Sequence, residues 1–212
     1  MTRILLISGS TRDDSLHSAA LRTAARSAPA GITAARYDGL RDLPPFIPAD
    51  EAPTPGPVQF LRFQVDGADA VAFCTPEYAG SLPGTLKNLL DWLIGSGSLE
   101  GKPAAWLSVA APGQDDGARA ALETVLAHCG ARLVRPACIR VPLTPDAIDA
   151  QGTIDDMQLH TALLDVLHGL ARSTVPAAPS DQPSWQAYSS VFPVVMRQRP
   201  QRPHNPWHHQ GS

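Results

Sequence analysis

The sequence predicts an α/β fold: a doubly wound, five-stranded parallel sheet with helices on both faces. Three observations carry this expectation. Short apolar runs such as Arg3-Ile-Leu-Leu-Ile7 and Ala68-Asp-Ala-Val-Ala-Phe-Cys74 lack regular polar alternation, as strands buried on both faces do. The segments between such runs place apolar residues at helical spacing. Strand and helix then alternate along the chain without an internal repeat, so each crossover joins parallel neighbours and is right-handed by default.

In order, Arg3–Ile7 is the first strand, closed by Ser8-Gly9-Ser10-Thr11. A helix follows from Ser15, a good N-cap, with Leu16, Ala19, Ala20, Thr23 and Ala24 at helical spacing up to Pro29. Ile32–Tyr37 is a second strand, Asp38 to Pro57 a proline-rich loop serving as pocket rim or contact surface, and Val58–Gly67 a short helix. Ala68–Cys74 is the third strand. The helix from Pro83 to Ile94 turns Leu86, Leu89, Leu90 and Leu93 toward the core, with Ser81 as a candidate cap. Gly95-Ser-Gly-Ser98 breaks the chain, and Ala104–Val109 is the fourth strand. Ala118–His128 reads as helix with Gly130 placed to end it, Ala131–Val141 as the fifth strand, and Asp155–Arg172 as a closing helix started by acid. Residues 1–172 thus form one domain. Residues 173–212 form an extension with seven prolines and no sustained period. Its composition favours a mobile tail, while Trp185, Tyr188, Val191, Phe192 and Trp207 could dock it on the domain or on a neighbouring subunit.

Bulk properties exclude several classes. A net charge of −3 with scattered basic residues offers no footprint for nucleic acid. No apolar run approaches the roughly 18 to 20 residues needed to cross a bilayer, and no signal-peptide core follows Met1, so a cytoplasmic protein is expected. Cys74, Cys129 and Cys138 form no CxxC motif and read as buried thiols in a reducing compartment, without metal.

Two strand-to-helix loops are unusual. Gly9-Ser-Thr-Arg-Asp-Asp-Ser15 brings hydroxyls and free amides to a helix N-terminus, a receptor for phosphate without a Walker lysine. Pro76-Glu-Tyr-Ala-Gly-Ser81 is not explained by helix capping alone, and its aromatic, glycine and hydroxyl residues suit a flat polar ring held by main chain. Such loops lie at the carboxyl ends of strands, where open α/β sheets bind ligands.

These residues, Gly9-Ser-Thr-Arg12 with Ser15, Pro76-Glu-Tyr-Ala-Gly-Ser-Leu-Pro-Gly84, Leu86-Lys-Asn88 and Asp91-Trp92, resemble the NADPH-dependent FMN reductase family of flavodoxin-like proteins, which includes quinone, azo-dye and chromate reductases. The likeness spans roughly residues 3 to 172. It implies the flavodoxin-like strand order 2-1-3-4-5, bound FMN, and NADPH or NADH as co-substrate. It implies that Ser10, Thr11, Arg12, Ser15, Leu16 and His17 meet the flavin phosphate. Pro76, Glu77, Tyr78, Ala79, Gly80 and Ser81 would wrap the ribityl chain and ring edge, and Ser108 and Gly113 would meet the pyrimidine end. It assigns no catalytic side chain, since the flavin N5 carries hydride from the nicotinamide to a quinone, free flavin, azo compound or metal oxyanion. Arg12 is the candidate for the NADPH phosphate, and Lys87 and Asp91 match charges at the contacts of a homodimer or homotetramer. The chain departs from the pattern with His17 for a common asparagine, with Asp13 and Asp14 beside the phosphate, and with Ala110-Ala-Pro112. Two other readings stay open: a flavodoxin-like electron carrier, and a flavin-free binding protein on the same fold.

Overall fold

A computed structural model of the chain describes residues 1–48 and 53–174. The proline-rich extension from 175 onward, and the middle of the long loop, lie outside the described residues. Five strands form the expected parallel sheet in the order β2-β1-β3-β4-β5: β1 Thr2–Ser8, β2 Ile32–Tyr37, β3 Ala70–Cys74, β4 Pro103–Ser108 and β5 Arg132–Leu133. A sixth short strand, β6 Ile139–Arg140, also pairs with β4.

The side-chain period of two explains why the central strands β1, β3 and β4 read as apolar runs. Ile4 and Leu6, Ala70, Ala72 and Cys74, and Ala105 and Leu107 face α1 (Leu16–Arg26) and α5 (Met157–Thr174). Leu5 and Ile7, Val71 and Phe73, and Ala104 and Trp106 face α2 (Gly56–Asp66), α3 (Gly84–Ile94) and α4 (Asp116–His128). Both faces are covered, so no polar alternation survives. The α3 face is the expected one, with Leu86, Leu89, Leu90 and Leu93 almost wholly buried. Each of these side chains contributes roughly 1.5–3 kcal/mol by leaving water.

Most boundaries shift by one or two residues, and three features differ in kind. The fifth strand, expected over Ala131–Val141, is two short strands separated by a 3-10 turn at Arg135–Ala137. Pro136 is the reason: it has no N–H for the ladder, and its ring fixes a turn conformation. Ser81 does not cap α3. The N-cap position is Pro83, without a side-chain hydrogen bond, and Ser81 instead exchanges main-chain hydrogen bonds with Tyr78. The closing helix begins at Met157, with the Asp156 carboxylate accepting the Leu159 N–H at 2.8 Å, and it runs two residues past Arg172.

The first half of the long loop is anchored rather than free. Asn88 on α3 accepts the Phe46 N–H at 2.7 Å and donates to the Pro44 carbonyl at 2.9 Å, which also accepts the Trp92 indole N–H at 2.9 Å. Cys74 and Cys129 are buried, Cys138 is half-buried, and all three are free thiols.

Candidate functional site

The loops after β1, β3 and β4 meet at one end of the sheet. Gly9 donates to the Cys74 carbonyl at 2.9 Å, and a Cβ at Gly9 would lie 2.1 Å from Thr75 Oγ1. Only glycine lets the first loop pass so near the second. The second and third loops are clamped in turn: Glu77 Oε2 accepts the Ala118 N–H at 2.9 Å, and a Cβ at Gly117 would lie 2.2 Å from the Gly80 carbonyl. Glu77 therefore caps α4 from a different loop.

The first loop is braced by its own hydroxyls. Ser8 Oγ accepts the Ser10 N–H at 3.1 Å, Ser10 Oγ accepts the Arg12 N–H at 3.2 Å, and Ser18 Oγ donates to the Arg12 carbonyl at 3.0 Å. Ser15 is the N-cap of α1, as expected, and accepts the Ser18 N–H at 3.1 Å. The side-chain oxygens of Ser10 and Ser15 thus shape the loop. This leaves the first two helix amides, Leu16 and His17, without an intrahelical partner, an arrangement that favours an anion. Thr11 stands half-buried beside them. Arg12 and Asp14 form an exposed pair, Nε to Oδ1 3.1 Å, which lowers the Asp14 pKa through the hydrogen bond and the guanidinium charge. The guanidinium of Arg12 thus screens the Asp14 charge near the helix end.

His17 occupies a tighter place. Its ring is half-buried, but Nε2 is sealed from solvent without a hydrogen-bond partner. Desolvation lowers its pKa to about 4, with the Asp115 charge opposing the shift. The ring is therefore neutral at pH 7. A depressed base binds fewer protons folded than unfolded, so its contribution is present above about pH 6.5 and is lost as pH falls toward 4. His17→Asn is expected to flatten the fall in Tm between these limits, a term on the order of 3 kcal/mol. Thermal melts from pH 7 to 4 on both proteins check this, and unchanged slopes would refute it.

The second loop forms the rim. Tyr78 and Ser81 exchange main-chain hydrogen bonds at 3.0 and 3.1 Å across Ala79 (φ 51°) and Gly80 (φ 72°), a type I′ turn. Among the described residues Ala79 is the single non-glycine with positive φ, a strain of the kind that collects at ligand loops. Pro76 and Glu77 are half-buried, and Tyr78 to Ser81 are exposed. In the third loop Gly113 is exposed with φ 85°, and neither Gly80 nor Gly113 has any atom within 4 Å of a Cβ position. Open main chain thus faces outward from both loops.

Ser108 does not share that openness. It is buried at the end of β4 and donates to Asp115 Oδ2 at 2.5 Å. Asp115 is 2% exposed, and its other oxygen accepts from Arg140 Nη2 at 2.5 Å. Arg140 also reaches Asp116 at 2.8 Å, and the Arg140 and Arg119 hydrogen bonds lower the Asp116 pKa. Asp115 and Arg140 were not among the residues singled out from sequence. The aspartate sits in a recognised loop, but no spacing announces that an arginine 25 positions later reaches back to it.

Residues from all three loops therefore form one rim, with amides at a helix end on one side and open glycine main chain on the other. This fits a phosphorylated flavin, whose phosphate needs amide donors and whose ring edge needs main-chain partners. Comparison with known proteins agrees. The family model for NADPH-dependent FMN reductase matches residues 2–143. An NAD(P)H-dependent FMN reductase from Pseudomonas aeruginosa is 33% identical over 173 residues, 79% of this chain and 92% of the relative. A quinone reductase from Escherichia coli is 36% identical over 106 residues, 48% of this chain and 56% of the relative. Among solved structures, the flavoenzyme NAD(P)H:(acceptor) oxidoreductase FerB from Paracoccus denitrificans superimposes with a TM-score of 0.66 at 27% identity, covering 82% of this chain and 97% of that one. The chain therefore belongs to the NADPH-dependent FMN reductase family of oxidoreductases, whose cofactors are FMN and a nicotinamide dinucleotide.

Proposed function

We propose that the chain uses the rim described above to hold FMN and reduces a small oxidised acceptor at the expense of NADPH or NADH. Bound FMN would supply the redox chemistry, hydride transfer between the nicotinamide and the acceptor. The protein's part is binding and orientation. The amides of Leu16 and His17 with Thr11 would take the phosphate, on a loop shaped by Ser10, Arg12 and Ser15. Main chain from Pro76 to Ser81 would follow the ribityl chain and ring edge, with Tyr78 limiting the space above it. Gly113 and its neighbours would place N–H groups near the pyrimidine edge, where negative charge gathers on reduction. Ser108 acts indirectly, through its hydrogen bond to Asp115.

The observation that carries this reading is the continuity of the three loops through Gly9, Glu77 and Gly117. A quinone is the preferred acceptor, supported by the likeness to a protein named quinone reductase; free flavins, azo compounds and metal oxyanions are the others to test. A homodimer or homotetramer in the cytoplasm belongs to the same reading. The exposed Lys87–Asp91 pair, 2.5 Å apart, is available for a subunit contact, and the three free thiols suit a reducing compartment. Protein reconstituted with FMN should lose its visible flavin absorbance under anaerobic NADPH and regain it on adding benzoquinone. Persistent absorbance after NADPH would defeat the proposal.

A further inference from the structure

Two cavities with three wall residues in common lie at the carboxyl end of β2, beside the rim. The first, of about 160 Å³, extends from Ser10 and Thr11 to Arg36, Asp38 and Arg41. The second, of about 630 Å³, is walled by Gly39, Gly56, Pro57 and Phe60. Arg36, Tyr37 and Asp38 line both.

Tyr37 carries the most informative atom. The residue is 5% exposed, yet its hydroxyl is sealed from solvent and meets no hydrogen-bond partner. A buried hydroxyl in that condition costs about 1–3 kcal/mol, and in a cavity wall it points to a polar ligand. Burial raises the Tyr37 pKa to about 12, so it remains an O–H donor.

The neighbouring charges define the ligand. Arg36 pairs with Asp38, and Arg41 with Asp13 at 3.5 Å. The two carboxylates are 70% and 89% exposed, and pairs of this kind hold by about 0–1 kcal/mol, so an incoming dianion can replace them. A phosphate offers two guanidiniums stronger, charge-assisted hydrogen bonds. Next door, Phe60 is half-exposed and stacks on Tyr37 with ring centroids 6.4 Å apart, a flat wall suited to a base. Dinucleotide-binding α/β folds use the same chemistry beyond the second strand, an acid for a ribose hydroxyl and an arginine for a 2′-phosphate.

We propose that this double cavity receives the adenosine 2′-phosphate end of NADPH, with the phosphate among Arg36, Arg41 and the Tyr37 hydroxyl and the adenine against Phe60. The chain is then selective for NADPH over NADH. Arg12, the partner expected from sequence, does not line either cavity. The proposal rests on the nicotinamide-dependent reductase reading above.

Calorimetric titration of the FMN-loaded full chain with adenosine 2′,5′-bisphosphate and with adenosine 5′-monophosphate tests it. The bisphosphate is expected to bind at least about tenfold more tightly. Combined Arg36→Ala and Arg41→Ala should abolish that preference, and Tyr37→Phe should reduce it, while FMN affinity stays within about twofold. If the double variant does not fold, Arg41→Ala alone, altering a half-exposed side chain, serves the same comparison. Equal binding of the two nucleotides, a preference that survives the arginine substitutions, or competition between bisphosphate and FMN would each overturn the proposal. Failure of the unaltered chain to bind FMN would instead strike the reductase reading, so the two failures are distinguishable.

Discussion

Replacing Arg140 with alanine is expected to destabilise the fold by about 3 kcal/mol, the lower end of the cost of stripping one partner from a buried ion pair. Asp115 has almost no access to water, and Arg140 is its charged partner at hydrogen-bond distance. Arg119 Nε stands 3.5 Å away, and the same guanidinium already serves Asp116, so it compensates only in part. On a chain of this size the loss corresponds to a fall in Tm of about 6–12 °C. Asp115→Asn should cost less, because it removes the buried charge and leaves Arg140 with Asp116. Calorimetry on the two variants checks the order. A Tm for Arg140→Ala within a degree or two of the unaltered protein would show that the pair does not anchor the third loop.

Gly117→Ala is expected to weaken FMN binding by at least about tenfold, a loss of 1.4 kcal/mol or more, and to lower Tm, because the added Cβ meets main chain. The added Cβ would fall 2.2 Å from the Gly80 carbonyl oxygen and 2.9 Å from its carbon, so the turn carrying Tyr78 and Ser81 must shift. Gly117 is the second residue of α4, so the interior helix propensity of alanine does little to offset that shift. Ligand affinity and stability are expected to fall together. Gly84→Ala is the control, because its Cβ position is open. Fluorescence titration with FMN reads both, and equal affinities would mean that the spacing of the two loops does not govern the site.

What could be read in the sequence was whatever has a short period. Runs buried on both faces, the leucine stripe of α3 and the Ser15 cap depend on residues within a few positions of one another, and all three appear where expected. The two motif-bearing loops were recognisable because glycine, proline and hydroxyl residues mark turns by their own conformational preferences. What escaped was long-range. Glu77 as a cap for α4, Arg140 as counter-ion of Asp115, and Arg36 beside Arg41 are meetings made by the sheet. The division of the fifth strand was accessible, since Pro136 interrupts it, but a proline at a strand edge is tolerated often enough that composition outweighed it. Ser108 shows the reverse case: its position at a strand end suggests a ligand contact, yet a neighbouring carboxylate accepts its hydroxyl.

The divided strand also bears on how copies of the chain can meet. A long, regular outer strand would present a row of unpaired main-chain groups to any second chain that arrives beside it. Here β5 and β6 have two residues each and are set apart by a turn. Neither is long enough to template a continuous intermolecular ladder. Among the described residues, this edge of the sheet offers no strand long enough for fibre-like growth by strand addition.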